Sequence, residues 1–285
     1  MKAAERAYAL TRTPEAATVL AGAYLGNNRA EEALALVRPL VALGGPAVEY
    51  IYAQALQALG RLEELAAFWT AKLAAGVLDE KEADNLLFAM LGNKSYAAVL
   101  PYLKDRAETR GGEWLFGYAE AARALGGEAL EGLLAFLDRE VERADIDDGA
   151  REQRLFMMME ASRPAAVATL ARLADRAPSR WWPLAADNLR QLNRSDELAR
   201  FLEGLIGRQD MGRAEREAMA YALIDAGGAA RALPVIARLA DDIGGAWDAV
   251  YRENLVKLGR IDDLRAYMSL RAARPDLPAE DRRAL

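Results

Sequence analysis

The sequence predicts an all-α chain organised as an array of about eight helix pairs, and three observations carry the prediction. Ala (61) and Leu (42) supply about 36% of the 285 residues, a share of strong helix formers that strand-rich folds do not reach. Trp114, Trp181 and Trp247 recur at spacings of 67 and 66, each twice 33. Gly- and Asn-bearing breaks separate apolar runs whose i, i+4, i+7 spacing belongs to helices and not to strands. With 53% hydrophobic and 28% charged residues, the chain has ample material for a buried core.

The repeat fixes the elements in order. Gly111–Gly126 aligns without a gap on Gly244–Gly259 at an offset of 133 residues, sharing Gly-Gly, Trp, Tyr and Leu-Gly, and Arg180–Asn193 falls in the same frame. A second pattern, a small or aliphatic residue with apolar residues at i+4 and i+7, marks one helix per unit. It starts at Ala33, Leu65, Val99, Leu130, Ala166, Leu198, Ala232 and Leu264, with spacings of 32, 34, 31, 36, 32, 34 and 32. The predicted repeats are 14–45, 46–78, 79–110, 111–145, 146–178, 179–211, 212–244 and 245–275, forming one array over 1–285. Residues 1–12 read as the end of a preceding repeat and 278–285 as the start of a following helix, so the chain is expected to be part of a longer protein. Such open ends could pair two copies through 1–12 or 271–285. Within units the turns are Gly26-Asn27-Asn28, Gly60-Arg61, Gly92-Asn93, Gly126-Gly127, Asn193-Arg194, Gly227-Gly228 and Gly259-Arg260, residue types that accept the left-handed conformation ending a helix.

Leu20, Ala21, Tyr24, Ala33 and Leu40, closed by Gly44-Gly45-Pro46, resemble the tetratricopeptide repeat (TPR), and the three Trp fall within a residue of that pattern's leading aromatic. The match is degenerate: Leu65, Val99, Leu198 and Leu264 stand where the family has a small residue. The resemblance implies a right-handed superhelical solenoid of about eight TPR-like pairs, with first helices lining a concave groove that binds an extended segment or helix of another protein. More weakly, the chain is similar to the periplasmic TPR regions of bacterial exopolysaccharide (Pel-type) export proteins. That similarity implies a periplasmic setting and a polysaccharide-modifying enzyme as partner. Direct polysaccharide binding along the groove is the second function considered.

Composition narrows the chemistry. The absence of Cys and His removes thiol nucleophiles, imidazole general bases, disulfides and Cys/His zinc sites. A net charge of −6 gives no field to attract nucleic acid or anionic lipid, no apolar run is long enough to span a bilayer, and no GxxxxGK[ST] loop is present. The expectation is therefore a non-enzymatic protein without cofactor or metal, with no nucleic-acid or membrane partner. Asp145, Asp147 and Asp148, then Asp241-Asp242 and Asp262-Asp263, could supply oxygen ligands to a hard cation, but their expected places at turns and helix starts suit capping of exposed amides.

Candidate partner-binding residues follow from helix phase. Six residues after each repeated Trp stands an acid, Glu120, Asp187 or Glu253, and three further on come Arg123, Arg190 and Val256. These are read either as a charged ladder along the groove or as i, i+3 pairs on a solvated face. Tyr50 and Phe116 occupy plausible groove positions. Trp114, Trp181 and Trp247 are read as wedges between successive pairs. Trp182, on another side of its helix, either packs on the preceding unit or is an exposed contact. Phe156, Met157, Met158 and Met159 make one helix apolar on nearly every side, which suggests burial from both neighbours, with an adaptable Met-rich contact as the other reading.

Overall fold

The computed structural model describes residues 1–273; the helix start expected at 278–285 lies outside the described residues. Among those described there are sixteen α-helices and no strand. In chain order they are α1 (Lys2–Thr11), α2 (Pro14–Leu25), α3 (Ala30–Val37), α4 (Pro46–Ala58), α5 (Leu62–Ala75), α6 (Glu80–Gly92), α7 (Tyr96–Arg110) and α8 (Glu113–Leu125). They continue as α9 (Gly127–Glu142), α10 (Asp148–Arg176), α11 (Pro178–Gln191), α12 (Ser195–Ile206), α13 (Arg213–Asp225), α14 (Ala229–Ile243), α15 (Ala246–Lys257) and α16 (Ile261–Ala272).

The chain forms two compact units that divide between Leu133 and Leu134. In each, helices pack mainly on their chain neighbours. Next-but-one contacts join α2 to α4 and α5 to α7 in the first unit, and α12 to α14 in the second. Such nearest-neighbour packing is how helix pairs too short to bury their own apolar faces share a core.

Local sequence explains the helix ends. In six of the pairs the turn closes with a hydrogen bond from the amide five residues beyond its acceptor: Arg29 to Tyr24, Arg61 to Leu56, Ser95 to Met90, Arg194 to Leu189, Gly228 to Leu223 and Arg260 to Leu255, all at 2.9–3.0 Å. This is the Schellman closure, and it requires one residue at positive φ. Gly60, Gly227 and Gly259 fill that position, but so do Asn28, Asn193 and Lys94. The pivot in the first and third pairs is thus Asn28 and Lys94, not Gly26 or Gly92. Lys94 at φ 58 pays the Cβ–carbonyl clash of the left-handed region. Lys94→Gly is therefore expected to stabilise the first unit by up to about 1 kcal/mol, and an unchanged or lowered melting temperature would contradict this.

Two elements depart from the regular pair. The second helix of 14–45 stops at Val37 and continues as a 3₁₀ stretch, Arg38–Leu43, because Pro39 has no amide to continue the α-helical ladder. In 146–178 no Gly or Asn turn exists. Instead α10 breaks at Ser162, whose backbone is extended (φ −159, ψ 98), and Pro164 starts the second half.

The core follows the second-helix anchors closely. Ala33, Leu65, Val99, Ala166 and Ala232 are fully buried. Two anchors are corrected: Leu264 is only half-buried, and so is Leu130, while Leu133, Leu137 and Val141 are fully buried. Taking Leu133 changes the neighbouring spacings from 31 and 36 to 34 (133 − 99) and 33 (166 − 133), so the apparent irregularity came from reading α9 one turn early. The Met-rich helix is also corrected, since Met157, Met158 and Met159 are buried but Phe156 is 52% exposed. Three consecutive residues already cover most of the buried arc of a helix at about 100° per residue, leaving the fourth on the open side.

Candidate functional site

The first helices carry the predicted partner-binding residues, and the structure places most of them in solvent. In the first unit Tyr50 on α4 is 64% exposed and Phe116 on α8 is 51% exposed. Glu120 and Arg123, also on α8, are exposed. Glu120 accepts a hydrogen bond of 3.0 Å from the Tyr96 hydroxyl at the start of α7, and that bond holds the Tyr96 phenol above its ordinary pKa. Arg123 Nε donates to the Ala119 carbonyl of its own helix at 3.3 Å. In the second unit Asp187, Arg190 and Glu253 are exposed and Trp182 is half-buried, between its two expected placements. Asp187 accepts from Gln191 Nε2 at 2.6 Å, and Glu253 pairs with Lys257 at 2.9 Å. Each acid thus has a partner other than the residue three positions on: Tyr96 for Glu120, Gln191 for Asp187 and Lys257 for Glu253.

The three repeated Trp are buried, at 5%, 4% and 3% exposure for Trp114, Trp181 and Trp247. Two of them support a ring that the sequence reading missed. Phe88 on α6 stacks on Trp114 of α8, with centroids 4.5 Å apart and planes at 23°. Tyr221 on α13 lies over Trp247 of α15 at 4.8 Å and 34°. Phe88 and Tyr221 are 39% and 46% exposed, so each unit presents an aromatic surface backed by a fixed indole. The signal was available, because 221 − 88 is 133, the offset already found for the Gly-Gly-Trp segments.

A cavity of about 390 Å³ in the first unit joins α4, α5 and α6. Tyr50, Phe68 and Trp69 give it apolar walls, and Gln54, Asn85 and the Glu49–Lys72 ion pair bring polar groups to it. It has the size and the mixture of apolar wall and few polar groups of a recognition pocket. A larger cavity of about 890 Å³ lies between α5 and α7, lined by alanines of both helices together with polar residues that include Glu63, Asn93 and Ser95, and by Thr70, whose hydroxyl is buried and without a partner.

The carboxylate clusters do other work. Asp145 takes the Arg143 guanidinium through both oxygens, at 2.9 and 2.5 Å, and its pKa is lowered to about 2 chiefly by that bond. Asp147 caps α10 through the Ala150 amide at 2.7 Å, and Asp148 pairs with Arg151 at 2.9 Å. Asp262 and Asp263 lie in the first turn of α16. Asp241 and Asp242 are the exception to the expected placement, lying in the last turn of α14 rather than at a turn or helix start. Among the described residues no group of three or more carboxylates is placed to hold a metal, and no helix is long and apolar enough to cross a membrane.

Fold and surface together define a helical-repeat protein with aromatic and acidic side chains displayed on its first helices. No family model and no curated protein matches the chain. Among solved structures it is similar to an assembly chaperone of RpL4 (Acl4), with 17% identity over 89% of this chain and 99% of that one and a TM-score of 0.24. That superposition is too distant to carry over anything of the chaperone's partner.

Proposed function

We propose that this protein is a non-enzymatic interaction scaffold of TPR-like repeats, whose first helices bind a segment of a partner protein. The observation that carries the proposal is the display of large apolar side chains on first helices: Tyr50, Phe88 and Phe116 on the successive α4, α6 and α8 of one unit, and Phe156 on α10 and Tyr221 on α13 of the other. A core-forming role does not call for them at that exposure, and exposed apolar surface set among polar residues is typical of interaction faces.

The cavity beside Tyr50, with Gln54, Asn85 and aromatic walls, also suits a sugar ring, and this favours polysaccharide binding as the second reading. A role in exopolysaccharide export, a periplasmic location and a polysaccharide-modifying enzyme as partner rest on the family resemblance alone.

Photo-crosslinking separates the readings. With a benzophenone amino acid at position 50 or 116, the scaffold reading expects cross-links to one recurring protein, identified by mass spectrometry. The same probe at the exposed second-helix residue Leu62 should give none. Equal labelling from all three positions sinks the first-helix surface. Absence of protein cross-links with retention on a polysaccharide column favours the second reading.

A further inference from the structure

The first helices hold a pattern that the three acids alone do not reveal. Counting back six residues from the left-handed residue of the turn gives Gly22 on α2 (28 − 22), then Gln54, Phe88 and Glu120 on α4, α6 and α8 (60 − 54, 94 − 88 and 126 − 120). In the second unit the same count gives Asp187, Tyr221 and Glu253 on α11, α13 and α15 (193 − 187, 227 − 221 and 259 − 253). Each unit therefore reads polar, aromatic, acid along three successive first helices. In each, the central ring rests on the buried Trp of the following first helix, twelve residues before its turn (126 − 114 and 259 − 247).

We infer that each unit carries one equivalent subsite for an arginine-bearing extended segment of a partner protein, with the guanidinium on the Phe88 or Tyr221 ring and its donors toward Glu120 or Glu253. This rests on the scaffold reading above and adds the chemistry of the partner. Charge complementarity selects the occupant, because the seven positions hold three carboxylates and no base. The guanidinium is the cation that both stacks on a ring face and meets a carboxylate with a planar fork. The groups already on the acids are weak competitors. The Glu253–Lys257 pair is 64% and 59% exposed, and the Tyr96–Glu120 hydrogen bond is likewise exposed, so solvent screens both. Buried Trp114 and Trp247 hold the ring planes in place before any partner arrives, which lowers the entropic cost of stacking.

The test uses synthetic 12-residue Gly/Ser peptides with a central Leu-Arg-Leu, the same peptide with Lys or Glu for Arg, and an N-acetylglucosamine oligomer, titrated calorimetrically into the whole chain. The Arg peptide should bind with a stoichiometry near two, the Lys peptide at least fivefold more weakly, and the Glu peptide not at all. Phe88→Ala with Glu120→Gln should lower the stoichiometry to near one, as should Tyr221→Ala with Glu253→Gln, with circular dichroism confirming intact helix content. The four-substitution variant should lose binding. Unchanged affinity in that variant, equal binding of the Glu peptide, or no peptide binding at millimolar concentration would each overturn the inference. The cross-links from positions 50 and 116 would still stand for the scaffold reading. Binding of the sugar oligomer without any peptide binding would overturn the inference and count against the scaffold reading as well.

Discussion

Trp114→Ala is expected to destabilise the first unit by about 3–5 kcal/mol, the range for emptying a large buried aromatic site. Trp114 is 5% exposed and carries the Phe88 ring on its face, so the substitution removes core volume and also the support of the neighbouring helix. Phe88→Ala should cost well under half as much, since Phe88 is 39% exposed and leaves the indole in place. The two losses should not add: with Trp114 gone, Phe88 has already lost its stacking partner. Urea unfolding of the two single variants and the double variant measures this. Additive losses, or a Trp114→Ala cost below about 1 kcal/mol, would mean that the stack is not a structural element.

The second large effect is expected at the last pair. Arg271 is 5% exposed. It donates to Asp248 Oδ1 through Nε at 2.9 Å and through an Nη at 2.5 Å, and to the Ala240 carbonyl at 2.6 Å, while the Tyr267 hydroxyl donates to the same Asp248 oxygen. This cluster ties α16 to α15 and to the end of α14. Asp248→Ala leaves a buried guanidinium without its counter-ion and should cost about 3–5 kcal/mol. Replacing the group as a whole, with Asp248→Leu, Arg271→Met and Tyr267→Phe, should recover much of that loss, because buried ion pairs contribute little over apolar residues of similar volume. If the triple variant is less stable than Asp248→Ala, the cluster is a net source of stability and that argument is wrong.

The same cluster has a pH signature. Burial and the bond to Asp248 push the Tyr267 phenol well above its ordinary value. A tyrosine with a raised pKa in the folded state contributes stability at pH values below its unfolded pKa of about 10. That contribution is lost as pH rises through the folded value. Stability should therefore decline through the alkaline range above about 10, and Tyr267→Phe should flatten that decline; an unaltered alkaline profile would remove the assignment.

Much of the fold was legible in the sequence. Ala and Leu content, the 33-residue period and the Gly and Asn turns are local properties, and helix formation is governed by local propensity and by the i, i+4 stripe that each helix must bury. Where that reading slipped, tertiary packing decided between registers that the local pattern left equal. Leu130, Leu133, Leu134 and Leu137 offer two apolar stripes on α9, and only the neighbours select Leu133, Leu137 and Val141. Similarly, nothing local distinguishes Phe156 from the three methionines after it.

The candidate surface was less legible, because exposure is a property of the assembled pair and not of the residue. The sequence alone determined that this is an all-helical repeat chain, and that Trp114, Trp181 and Trp247 occupy one repeated position with an acid six residues on. Only the tertiary structure decided that Phe88 and Tyr221 rest on two of those indoles and face solvent. The reason is physical: a ring stacks across two helices some 30 residues apart in sequence, and that contact exists only once neighbouring pairs have packed.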